Sequence, residues 1–283
     1  KGGSWFHSTG VSTIQNIQNY SEPQPYIGFR VFMEVLEEGT QDKIRKGMIG
    51  PPATLHLQGN LYMDETEISN ISWLEYQFWI KKNEPKKYTS TLLDTSVWNS
   101  LGSAFDPFVK QYHNHSAYSD YPVVGVTHQQ AKDYCKWRSK VVNEMLLLNP
   151  NGLKKFGTIL YRLPTQKEWE YAASGGLDKG DFPHGHDELT TSKGDKKVYL
   201  DWSEGKTTTQ QDSFATAPTY SFIPNGKGYY NMIGNVAEMV QEKGVAKGGS
   251  WKHTVPQSKI SSKLSYDVPS PWLGFRCICE VGL

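Results

Sequence analysis

The chain carries one pattern twice, and the spacing of the two copies constrains its organisation more than any other feature. Lys1-Gly2-Gly3-Ser4-Trp5 returns as Lys247-Gly248-Gly249-Ser250-Trp251. Pro25-Tyr26-Ile27-Gly28-Phe29-Arg30 returns as Pro271-Trp272-Leu273-Gly274-Phe275-Arg276. In each copy 24 positions separate the Ser from the later Gly (Ser4 to Gly28, Ser250 to Gly274), and His7 matches His253. The offset is 246 residues, about one domain. Residues 1–37 are therefore expected to be the C-terminal remnant of a preceding, similar domain. Residues 38–52, which include most of the polar run EEGTQDKIRK, are expected to be a linker, and 53–283 a complete domain. A permuted or swapped terminal segment is the alternative organisation.

Composition narrows the class. Of 283 residues, 37% are hydrophobic and 21% charged, as in a soluble globular chain long enough for a real core. Lys+Arg (30) nearly equals Asp+Glu (29), so charge offers no case for nucleic acid or an anionic membrane surface. No run approaches the roughly 18 apolar residues of a membrane span. The chain opens without an initiator Met or signal peptide, which is expected if a targeting segment was removed or the chain is a fragment. Cys135, Cys277 and Cys279 make no spaced disulfide framework. A bridge between Cys277 and Cys279 would be strained, so thiols are expected.

Local signals give an α+β chain. Residues 54–63 read as strands about Gly59-Asn60. A helix is expected near 71–81, with Ile71, Leu74, Phe78 and either Trp73 or Tyr76 as its apolar face. The acidic group Asp64, Glu65 and Glu67 before it suits a helix N-terminus. Residues 122–126 (PVVGV) read as a short buried strand. Thr127 with Gln130, and Thr165 with Glu168, form capping boxes that open two further helices. Ala131, Tyr134, Cys135, Arg138, Val141, Val142 and Met145 recur at helical spacing on the first of these. Gly175-Gly176 stops the second. Beyond residue 177 turns and short strands dominate. His113 and His115, and His184 and His186, form two H-x-H pairs without an evident third ligand, and read as surface loops.

Seven phrases in order then carry a resemblance. They are Tyr62–Asn70 (YMDETEISN), Tyr121–Val126 (YPVVGV), Ala131–Trp137 (AKDYCKW) and Tyr161–Ala172 (YRLPTQKEWEYA), followed by Asn231–Glu238 (NMIGNVAE), Lys247–Trp251 and Gly274–Arg276. Over about residues 53–280 the chain resembles the formylglycine-generating enzyme (sulfatase-modifying factor) family. The resemblance implies an irregular, loop-rich elaboration of the C-type lectin fold. Leu92–Trp98 (LLDTSVW), His115–Tyr118 (HSAY) and Tyr121–Gly125 look closer still to the gliding-motility lipoproteins J and K of Bacteroidota.

The resemblance also locates sites. The family's oxidase holds copper(I) on two cysteines, three and eight residues beyond the Ser of the Gly-Gly-Ser motif; a soft ion favours such thiolates. Those positions are His253 and Ser258 here, and His7 and Ser12 in the first copy. The family's pocket Trp is Ala237, and only Ser250 is kept. A chain without catalytic residues or copper is therefore expected. Structural calcium is implied at Asn231, Gly234, Val236 and Glu238, which suit a hard cation as oxygen donors, and at Asp201, Trp202, Asp212 and Phe214. The expected function is a non-catalytic scaffold with protein partners in a secretion or gliding complex, in the periplasm or at the outer membrane as a lipoprotein. A lectin-like module binding a small ligand or glycan through 252–273 is the second expectation, and a divergent oxidase using His253 the third.

Overall fold

The computed structural model describes residues 51–148, 156–177, 180–183 and 215–282. The first copy of the repeat, the linker up to residue 50, His184, His186 and the set Asp201, Trp202, Asp212 and Phe214 lie outside the described residues.

Strands β1 (Thr54–Gln58) and β2 (Leu61–Asp64) form the expected hairpin, turned by Gly59 at a φ of +54°. Strand β3 (Ile159–Arg162) does not pair with them directly. The last strand of the chain comes between, and the order is β1-β2-β8-β3, antiparallel throughout. Cys279 of β8 (Ile278–Val281) thus sits in register with Tyr62 on one side and Tyr161 on the other. A second sheet has the order β6-β5-β4-β7. Its members are β4 (Ala237–Met239), β5 (Val245–Lys247), β6 (Leu264–Ser265) and β7 (Leu273–Gly274), with β4 and β7 parallel. Together with the helices this is the expected α+β architecture.

Helix α1 (Asn70–Asn83) starts at Ser69, whose hydroxyl accepts from the Ser72 amide. A short α2 (Asp106–Gln111) precedes α3 (His128–Leu147) and α4 (Gln166–Ala173). Both capping boxes form as expected, each satisfying two backbone N–H groups that a helix start leaves unpaired. Gly175, at φ +62°, follows the end of α4.

The sequence expectations need three corrections. In α1 the buried face is Trp73, Tyr76 and Ile80; Ile71 is 42% and Phe78 70% exposed. Two large rings outweigh an Ile and a Phe in area removed from water. Trp73 stacks on Tyr134 of α3 at 5.6 Å, and Phe275 meets both rings edge-on. On α3 the buried set runs from His128 and Ala131 through Tyr134, Cys135 and Arg138 to Ser139, and Met145 is exposed. Residues 122–126 are buried but form no strand. Their backbone bonds run to separate loops: Val123 N–H to Ile68 O, and Asp94 N–H to Gly125 O. Gly125 has a φ of +71°, and a Cβ there would lie 2.4 Å from Asp94 O, so the segment turns where a strand would continue.

Candidate functional site

The Gly-Gly-Ser turn follows directly on β5. Gly248 and Gly249 hold φ values of +88° and +68°, and both are crowded. A Cβ on Gly248 would meet Met232 O at 2.7 Å, and one on Gly249 would run into the Ser258 side chain. Only glycine fits either place. The turn buries Ser250, whose Oγ lies 2.6 Å from His253 Nδ1 and accepts from the Lys252 amide. The His253 ring packs edge-on against Trp272 at 4.9 Å. Burial, helped by the charge of Lys252, holds its imidazole down at about 4. Ser258 is fully buried at the end of a single helical turn, Val255–Ser258, and its hydroxyl donates to Thr254 O. The folded turn sets His253 against Ser250 and seats Ser258 beside Gly249. It offers one neutral imidazole and two hydroxyls that already have protein partners.

The three thiols lie elsewhere, in the core between α3 and the first sheet. Cys135 Sγ and Cys277 Sγ are 3.5 Å apart and both buried, and no disulfide is present. Burial pushes the Cys277 thiol well above its ordinary range and Cys279 up to about 12, so neither is a thiolate at neutral pH. Among the described residues no group of three or more His, Cys, Asp or Glu side chains is arranged to hold a metal.

The Asn231–Glu238 segment shows a different organisation from the one its ligand-like spacing suggests. Asn231 and Asn235 both take left-handed backbone conformations, at φ +49° and +53°. Their side-chain amides donate to loop carbonyls at Thr219 and Ala217 and also to the two oxygens of Glu67, at 3.2 and 3.0 Å. Glu67 is fully buried, and that burial pushes its carboxyl up to about 8 despite the nearby Arg276. Glu238 is equally buried and fully engaged. Arg276 Nε donates to its Oε2 at 2.7 Å and Nη2 to its Oε1 at 2.6 Å, and Trp169 Nε1 donates to Oε2 at 2.7 Å. The rest of the guanidinium is spent on the carbonyls of Asp64, Glu65 and Tyr230. A hard divalent cation needs carboxylate charge as well as neutral oxygens. Asn231, Gly234 and Val236 supply only neutral oxygens, and the charge of Glu238 is already balanced by a guanidinium. In this arrangement the set fits a calcium ion poorly.

Two site features were misread from sequence. Asp64 and Glu67 do not serve the N-terminus of α1, whose first turn has no acidic residue. Asp64 instead accepts from Arg138 at 2.8 Å and from the Cys277 amide at 2.9 Å. His113 is not a surface residue: it is 7% exposed and bonded to Asn70, whereas His115 is exposed. The partners of these groups are 40 to more than 200 residues away in sequence, which local patterning does not report. The Arg of the Gly-Phe-Arg motif is paired inside the fold, with Glu238.

The profile of the sulfatase-modifying factor enzyme 1-like domain matches residues 33–281. The formylglycine-generating enzyme of Mus musculus is 35% identical over 128 residues, 44% of this chain and 28% of that protein. The inactive C-alpha-formylglycine-generating enzyme 2 of Bos taurus is 29% identical over 189 residues, 58% of this chain and 52% of that protein. The matched stretch thus spans between about a quarter and a half of these curated relatives. Among solved structures CarF superposes with a TM-score of 0.55 at 17% identity, over 83% of this chain and 95% of its own, a likeness of fold.

Proposed function

Because the chain belongs to the sulfatase-modifying factor (formylglycine-generating enzyme) family, we propose that it is a non-catalytic member, serving as a scaffold or protein-binding component of a bacterial cell-envelope complex. One observation carries the non-catalytic reading. The Gly-Gly-Ser turn gathers Ser250, His253 and Ser258, and none of them is a thiol. A redox copper ion needs soft ligands. The thiols the chain does possess are enclosed in the core, and burial keeps Cys277 and Cys279 protonated. A bovine relative whose name already includes "inactive" supports the reading, although an active enzyme of the mouse is similar as well. The chemistry of the turn favours the first.

The envelope role is of the type IX secretion and gliding kind, at the periplasm or as an outer-membrane lipoprotein. It rests on the phrases Leu92–Trp98 and His115–Tyr118, through which the chain looks like the gliding lipoproteins. Its test is crosslinking in intact envelopes followed by capture of this chain. Recovery of a secretion or gliding component is expected, and its absence from every crosslinked product would remove the envelope part of the proposal. Within the fold, we assign to Arg276 the stabilising charge that the family resemblance gives to calcium at Glu238.

A further inference from the structure

Between α1 and the segment around residues 88–114 lies a cavity of about 270 Å³, which shares no residue with the Gly-Gly-Ser turn. Asn70, Trp73 and His113 are its buried members, and Leu92 and Asn114 are exposed at its edge. The protonation of His113 follows from its neighbour. The Asn70 amide Nδ2 donates to two carbonyls, Tyr112 O and Tyr118 O, each at 3.0 Å. A carbonyl only accepts, so the Asn70 atom 3.0 Å from His113 Nδ1 is the oxygen, and Nδ1 must carry the proton. The other ring nitrogen, Nε2, is then a bare acceptor. It is buried and, among the described residues, has no hydrogen-bond partner. Leaving such a group unpaired is costly, so it is a place where a ligand can gain affinity.

The walls define the rest of the ligand. Trp73 Nε1 and Gln77 Nε2 both donate to Thr91 O, which leaves the indole face and the leucines as apolar surface. Among the described residues no Asp, Glu, Lys or Arg lines the cavity, and burial keeps His113 neutral. A charged ligand would find no counter-ion there. The geometry points to a binding site for a small neutral molecule with an apolar body and one O–H or N–H group, which donates to His113 Nε2 while the body packs on Trp73 and Leu92. This goes beyond the scaffold reading and does not depend on it.

Phenol and anisole, alike in shape but differing in the donor, are suitable probes for the full chain with ¹⁵N-labelled histidine. Phenol is expected to bind about tenfold more tightly than anisole, equivalent to about 1.4 kcal/mol. Only phenol is expected to move the His113 Nε2 resonance from the position of a free acceptor nitrogen. In His113→Phe the two probes are expected to bind equally. Should that variant fail to fold, the resonance of the native chain still decides. Equal affinities in the native chain, binding of neither probe, or phenol binding that leaves Nε2 unmoved would each overturn the assignment.

Discussion

Arg276 grips Glu238 through two parallel hydrogen bonds of 2.6 and 2.7 Å, and neither side chain has meaningful contact with solvent. The pair ties β4 to the Gly-Phe-Arg motif just ahead of β8, and so joins the two sheets. Removing one partner leaves the other charge buried and unpaired, at a cost of about 3–5 kcal/mol. Arg276→Ala is expected to destabilise the domain by that amount in urea denaturation. Replacing both residues with apolar side chains is expected to cost less than the sum of the two single changes. Additive costs would show that the pair is not the coupling element.

Calcium follows from the same pair. With Arg276 supplying the positive charge at Glu238, EDTA or millimolar calcium is expected to shift the melting temperature by no more than about 1 °C, below the ~2–4 °C that 1 kcal/mol produces in a domain of this size. Calorimetry in the two buffers measures it. A rise of several degrees with calcium would mean that the ion shares Glu238 with the guanidinium.

Acid should act through two histidines. Burial holds His113 and His253 at about 4 in the fold, against an ordinary 6.5. The unfolded chain therefore binds more protons than the folded one between those values. The stability they contribute is fully present above about pH 6.5 and is lost as pH falls towards about 4. In His253→Asn the loss over that window is expected to be shallower, with no change in slope above pH 7. Identical slopes for the two proteins would place the His253 titration at its ordinary pH.

Glu67 carries the opposite sign. Its carboxyl rises from 4.5 to about 8 in the fold, so the native chain holds the extra proton there. Its contribution is present below about pH 4.5 and is lost as pH climbs to about 8. Infrared spectra of the native chain at pH 6 are expected to show one protonated buried carboxyl, and Glu67→Gln to remove that band. A band that persists in the variant would assign the proton elsewhere.

What the sequence made legible was local. The capping boxes at Thr127 and Thr165 and the Gly59 turn are short-range devices, and each stands as read. The face of α1 was misread because helical periodicity admits two stripes; which one is buried is decided by Tyr134 and Phe275, far along the chain. The roles of Asp64, Glu67 and His113 were hidden because their partners, Arg138, Asn231 with Asn235, and Asn70, come together only on folding. A buried carboxylate and a surface one look alike in a sequence.

The central claim is that the Gly-Gly-Ser turn cannot hold a redox copper ion, and copper(I) titration of the purified chain, with oxygen uptake followed on a cysteine-containing peptide, tests it most directly. The account expects no stoichiometric copper and no oxygen-dependent conversion of the cysteine, and tight copper(I) binding only once thiols are installed as His253→Cys with Ser258→Cys. One equivalent of copper on the unaltered chain, together with conversion of the peptide's cysteine to formylglycine, would contradict it.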